Sequence, residues 1–174
     1  MPVATRSRPS SRTPREGRSR RSMDVLALLK NDHREVSEMF DKVEELGERA
    51  SAQRGKLGEQ ICKALELHST FEQSVLYPQI RERAEDHEER EQILEALEEH
   101  GVVDRLVEEL KGMDAKEERY EAKLMVLIEA VRHHVKEEER ELFPTAKELL
   151  EKEELDEMGE RFMEEKRNAG MPVR

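Results

Sequence analysis

The chain has 174 residues, 42% charged and 35% hydrophobic, with a net charge of −11; that is enough for one modest domain, not two full ones. Aromatic content of 3%, with eight Gly and six Pro, argues against a sandwich or barrel, which needs β-branched and aromatic strands and frequent turns. No Gly-rich phosphate loop is present, the single Cys62 allows neither an internal disulfide nor a thiolate zinc finger, and no apolar run approaches a membrane span.

Residues 1–22 come first and stand apart. Seven Arg and one Glu give them a charge of +6, leaving −17 on the other 152 residues of a chain that totals −11. Rich in Ser, Arg and Pro, this stretch cannot bury enough surface to offset its ordering entropy and is expected to be a disordered tail. Its charge fits a weak anionic partner. No apolar segment follows it as in an export signal, and with one cysteine the expected location is cytoplasmic.

The remainder, 23–168, reads as one all-α domain. Ser22 or Asp24 caps a first helix reaching about Ala50. A second runs from about Gln53 or Lys56 to Ala84, with Pro78 kinking or interrupting it. Asp86 and His87 break the chain before a third, about Glu88 to Lys111. After a turn at 112–114, a fourth runs from about Ala115 to Leu142, with Pro144 at its end. One or two shorter helices follow, at 144–151 and about 153–166. The expected fold is an antiparallel up-down four-helix bundle with a short C-terminal helix.

Each long helix carries a core-facing seam, and each seam contains a histidine. Helix 1 gives Leu26, Leu29, His33, Val36, Phe40 and Val43. Helix 2 gives Ile61, Leu65, His68, Glu72 and Val75. Helix 3 gives Ile93, Leu97, His100, Val103 and Val107. Helix 4 gives Leu127, Val131, His134, Glu138 and Leu142. In helices 2 and 4 a glutamate follows four residues later, one turn on, so His and Glu face one spot. His68-STF-Glu72-QSVL-Tyr77-Pro78 also aligns with His134-VKE-Glu138-EREL-Phe143-Pro144. The offsets are 67 between His33 and His100 and 66 between His68 and His134. Two helical-hairpin repeats, about 24–84 and 88–151, would bring four His and two Glu together. Such imidazole–carboxylate donors suit Fe, Mn or Zn. Asp104, one turn past His100, has equal claim to be an additional ligand or a boundary hydrogen bonder. Gly101 either leaves room beside the metals or eases helix packing. Tyr77 and Phe143 are expected to pack near helix ends, and His87 and His133 to lie on the surface.

The pattern NDH(33), LH(68)STFE(72)QSVLYP, EEH(100) and HH(134)VKEE(138)ERELFP resembles the hemerythrin-like, or HHE cation-binding, family over about residues 24–166. The resemblance implies a four-helix bundle around a non-haem di-iron centre. It implies two iron ions joined by an oxo or hydroxo bridge, with His33, His68, His100 and His134 as terminal ligands and Glu72 and Glu138 bridging. Mn or Zn suits the same donors. That ligand count leaves about one open position per iron, the open-site arrangement of reactive metals. The oxygen-carrying members have a further histidine where Asp104 stands here.

The expected function is binding of, or reaction with, a small oxidant (oxygen, peroxide or nitric oxide) in stress response, with an electron donor the sequence does not identify. A peroxide- or nitric-oxide-consuming activity belongs to that reading. The alternative is a non-catalytic module that senses iron or oxygen or stores metal.

Overall fold

The computed structural model describes residues 24–173, so the expected disorder of residues 1–22 lies outside the described residues. Among those, every regular element is helical: α1 (Val25–Glu44), α2 (Ser51–Phe71), α3 (Tyr77–Arg83), α4 (His87–Lys111), α5 (Glu118–Glu137), α6 (Phe143–Leu149) and α7 (Lys152–Asn168). Short π-helical turns, Glu72–Leu76 and Glu138–Leu142, join α2 to α3 and α5 to α6. α1 packs on α2, α2 on α4, α4 on α5 and α5 on α1, while α7 lies against α1 and α2. No helix of the described residues is long and apolar enough to cross a membrane.

Local chemistry sets the boundaries. The Asp24 carboxylate accepts from the Ala27 N–H at 2.9 Å and starts α1. Asp86 and Glu89 form a capping box at the start of α4. α1 stops at Glu44 and not near Ala50, because the apolar seam ends at Val43 and residues 45–50 close short turns, with Leu46 N–H bonded to Val43 O and Ala50 N–H to Gly47 O. α5 begins at Glu118 and not near Ala115, because Asp114 draws the chain into a turn, accepting from Lys116 N–H and Glu117 N–H. The C-terminal helix α7, at 17 residues, is longer than expected.

The two π-helical turns are the local answer to Pro78 and Pro144. A proline inside a helix has no N–H to give and its ring clashes with the carbonyl four residues back. Here the bonding widens one residue earlier: Tyr77 N–H reaches Glu72 O, and Phe143 N–H reaches Glu138 O. Each spans five residues in place of four. The wider turn shifts the face of the residues that follow, and Tyr77 and Phe143 turn inward. Both rings are buried to 1% exposure, in the core at the first residue of α3 and of α6.

The apolar core falls into two halves. One joins the start of α1 to α3, α6 and α7 through residues such as Leu29, Phe71, Leu76, Ile80, Phe143 and Phe162. The other joins the rest of α1 to α2, α4 and α5 through Phe40, Ile61, Val107, Leu124 and Leu127. The seam histidines and glutamates lie between them. Gly101 does neither thing expected of it: it is exposed, and nothing lies within 4 Å of where a Cβ would stand.

α7 belongs to the first half of the core. Phe162 is fully buried and its ring centre is 4.6 Å from that of Phe71. Phe162→Ala is expected to cost about 3–5 kcal/mol, as for other buried aromatics. Urea denaturation measures it; a loss below about 1 kcal/mol would mean α7 is an appendage.

Candidate metal centre

Four histidines and two glutamates meet in the layer between the core halves. All six are nearly inaccessible, from Glu72 at 0% to His68 at 7%. The structure thus brings together His33, His68, Glu72, His100, His134 and Glu138. Every imidazole turns Nε2 inward. His33 Nε2 is 3.1 Å from His68 Nε2, and His100 Nε2 is 2.9 Å from His134 Nε2. The carboxylates stand between these pairs. Glu72 Oε1 is 3.1 Å from His68 Nε2, and Oε2 is 3.4 Å from His100 Nε2. Glu138 Oε2 is 3.4 Å from His33 Nε2 and 3.7 Å from His134 Nε2. Two groups result, each able to hold a cation: His33, His68, Glu72 and Glu138, and Glu72, His100 and His134.

The donors fit a metal on this structure's own terms. Glu72 Oε1, Glu72 Oε2 and Glu138 Oε2 are buried and make no hydrogen bond. Buried polar atoms are rarely left so, and a carboxylate without a partner is among the costliest to bury. Cations between the inward Nε2 atoms would satisfy all three.

The outer ring nitrogens are oriented by acids that sequence reasoning missed. His33 Nδ1 donates to Glu139 Oε1 at 2.8 Å, and His134 Nδ1 to Glu99 Oε2 at 2.8 Å. His68 Nδ1 is 3.9 Å from Asp32 Oδ2. Such partners fix the tautomer that leaves Nε2 free to ligate. A signal was there: Asp32 directly precedes His33 and Glu99 directly precedes His100, and each serves the histidine of the following helix. By the repeat, Gln73 matches Glu139 and would serve His100. It turns away, donating to Ser69 Oγ at 3.0 Å and to Asp104 Oδ2 at 3.1 Å. Asp104 also accepts from Ser69 Oγ at 2.9 Å. Asp104 is therefore engaged in a boundary hydrogen-bond network and is not brought into the cluster. His100 Nδ1 is left buried without a partner.

Tyr77 is a further site residue that the seams did not show. Its hydroxyl donates to Glu138 Oε1 at 2.8 Å and lies 3.2 Å from His100 Nε2. Burial, then Glu72 and Glu138, hold the phenol well above its ordinary value, so it stays a donor. The matching Phe143 stacks on His33 with ring centres 5.8 Å apart. His87 and His133 are exposed.

Protonation follows from the same contacts. Burial lowers an imidazole, but Glu72 and Asp32 outweigh it at His68, which is pushed up to about 10. Burial and the neighbouring His134 hold His100 down at about 3. Burial and the Glu138 charge raise Glu72. Burial acts the same way on Glu138, but His33 and His134 turn it downward. Asp32 is bound in turn to Lys166 of α7, which is 3% exposed. A cavity of about 460 Å³ opens beside the four histidines between α1 and α2.

The hemerythrin HHE cation-binding domain matches residues 24–146, a span that holds all six clustered residues. The chain belongs to the hemerythrin HHE cation-binding family. It is similar to a crystal structure of a hemerythrin HHE cation-binding domain-containing protein from Mycobacterium kansasii, with a TM-score of 0.69 and 23% identity, covering 85% of this chain and 88% of that one. It is also 24% identical over 147 residues to a DNA nickase of Nostoc, covering 84% of this chain; the chain spans 40% of that protein's length.

Three outcomes follow from this geometry. His68 must lose a proton to ligate, so zinc titrated into the metal-free protein at pH 7.5 is expected to release about one proton or more. Calorimetry in buffers of different ionisation enthalpy reads it. The sign for stability is that of a raised histidine: its contribution is full below about 6.5 and lost as pH rises through about 10. The metal-free protein should therefore weaken over that interval, and a flat profile would contradict the assignment. Separately, Lys166→Met leaves Asp32 without its cation and is expected to cost about 3 kcal/mol or more. A denaturation double-mutant cycle with Asp32→Asn should show strong coupling; additive losses would mean the pair is idle.

Proposed function

We propose that the chain is a non-haem di-iron protein, an up-down four-helix bundle with α7 laid against it, that binds or reacts with small oxidants such as oxygen, peroxide or nitric oxide in stress response. One observation carries the reading: four buried imidazoles aim Nε2 at two buried glutamates, three of whose four oxygens make no hydrogen bond. His33 and His68 would hold one iron, His100 and His134 the other, and Glu72 and Glu138 would bridge both. Iron in such a pair exchanges electrons with small oxidants, chemistry that Zn does not offer.

The chain's own residues supply the rest. The two apolar halves of the core keep bulk water from the cluster. Glu139, Glu99 and Asp32 hold three of the imidazoles in the ligating orientation. Tyr77 keeps a proton on its Oη within 2.8 Å of Glu138 Oε1, poised beside the second pair. The cavity gives a small molecule a way to the histidines. An external electron donor would complete the cycle, and the Arg-rich residues 1–22 add weak, salt-dependent affinity for anionic partners.

The test is metal content with the absorption spectrum, before and after peroxide. We expect about two irons per chain, visible bands of a coupled ferric pair, and peroxide loss that falls roughly tenfold or more in Glu72→Ala. Stoichiometric iron without peroxide turnover would favour a sensing or storage module. Protein that takes up only zinc, or no metal after anaerobic iron loading, would sink the redox reading.

A further inference from the structure

A diatomic molecule or hydrogen peroxide needs far less room than this site offers. The cavity measures about 460 Å³, within the range of about 300–1,000 Å³ usual for organic ligands; a single water's share is about 30 Å³. Its inner end is formed by His33, His68, His100 and His134. Aliphatic side chains, Val36, Leu57, Leu65 and Val131 among them, make up much of its wall, with Glu35, Lys42, Gln60 and Ser69 also bordering it. The aliphatic part of the wall offers water few hydrogen-bond partners, so an apolar body that displaces water there is favoured. At the mouth, Lys63 Nζ donates to Ala169 O at 2.8 Å, fixing the segment after α7, whose Met171 and Pro172 also line the opening.

We propose that this cavity seats the apolar body of an organic hydroperoxide, with the O–O end at the four histidines. The inference rests on the small-oxidant reading above and narrows its substrate class. The reaction is a two-electron reduction. The O–O bond of ROOH breaks, two electrons and two protons are taken up, and ROH and water leave. Ascorbate, acting as a two-electron, two-proton reductant, balances it and becomes dehydroascorbate. Occupancy needs only the aliphatic wall, so a redox-silent metal tests it.

Cumyl alcohol, which has the body of cumene hydroperoxide but no O–O bond, is the binding probe for zinc-loaded full-length protein. Calorimetry is expected to show saturable binding, weakened about tenfold in Ala64→Trp, which places a large ring in the cavity wall. In iron-loaded protein with ascorbate, kcat/KM should favour cumene hydroperoxide over hydrogen peroxide, with that preference falling about tenfold in the same variant. Circular dichroism and metal content establish that the variant folds; if it does not, Leu57→Trp takes its place. If the zinc-loaded wild type does not bind cumyl alcohol and hydrogen peroxide is the better substrate, the inference is overturned while the di-iron reading stands. If iron is bound and neither peroxide is consumed, the oxidant reading itself fails, and the hydroperoxide assignment with it.

Discussion

Two glutamates buried between two apolar half-cores set the terms for the rest of this structure. A carboxylate at 0% or 2% exposure loses its hydration and must find charge or donors in return. Glu138 has the Tyr77 hydroxyl on one oxygen, while Glu72 has a donor on neither. The four imidazoles around them cannot supply the balance as neutral donors, because three already direct a ring nitrogen toward an outer acid. His100, the fourth, is kept neutral by burial and by its neighbour His134. In the metal-free protein a proton held on His68 supplies part of the balance; a cation would take its place, so cation binding follows from the arrangement of the acids as much as from the histidines.

The same constraint explains the repeated irregularity in the helices. Proline six residues after each glutamate forces the bonding to widen, and the aromatic residue before each proline is turned into the core. The two halves answer alike in backbone and differently in chemistry. Tyr77 donates to Glu138, whereas Phe143 stacks on His33. Around the first histidine pair, both Nδ1 atoms face carboxylates. Around the second pair, Gln73 is drawn off by Asp104 and Ser69, and His100 has no outer partner. The two histidine pairs thus have unlike surroundings: one is flanked by Phe143 and Phe162, the other lies beside a phenol.

Much of this was legible in the sequence, for a physical reason. A seam of 3.6-residue period reports which side of a helix is buried, so the histidines and glutamates could be placed on one face each, and the repeat chose His134 over the exposed His133. The same rule hid Tyr77. Five residues past Glu72, it lies off the seam of a regular helix, and only the π-helical turn rotates it inward. The readable sign was an aromatic-proline pair at one position in both repeats. Asp32, Glu99 and Glu139 were hidden differently: adjacent in sequence to a residue of the cluster, they leave its helix face and serve a neighbouring helix, so their role exists only once the helices pack. Asp104 invited a ligand reading because it follows His100 by one turn, yet Ser69 and Gln73 on the adjoining helix offered it donors nearer by.

α7 shows how the periphery is coupled to the centre. It lies beyond the span matched to the cation-binding domain, but it is not a separate layer. Phe162 meets Phe71 and presents an edge to the His68 ring, 6.4 Å between centres. Lys166 neutralises Asp32, the acid facing His68 Nδ1. Holding Asp32 ionised keeps it an acceptor for His68, and that in turn keeps His68 Nε2 pointed at Glu72. The segment that follows, tied to Lys63 through Ala169 and bent at Gly170 with φ of 66°, borders the cavity. One helix therefore bears on both the orientation of a metal-facing histidine and the shape of the opening that leads to it.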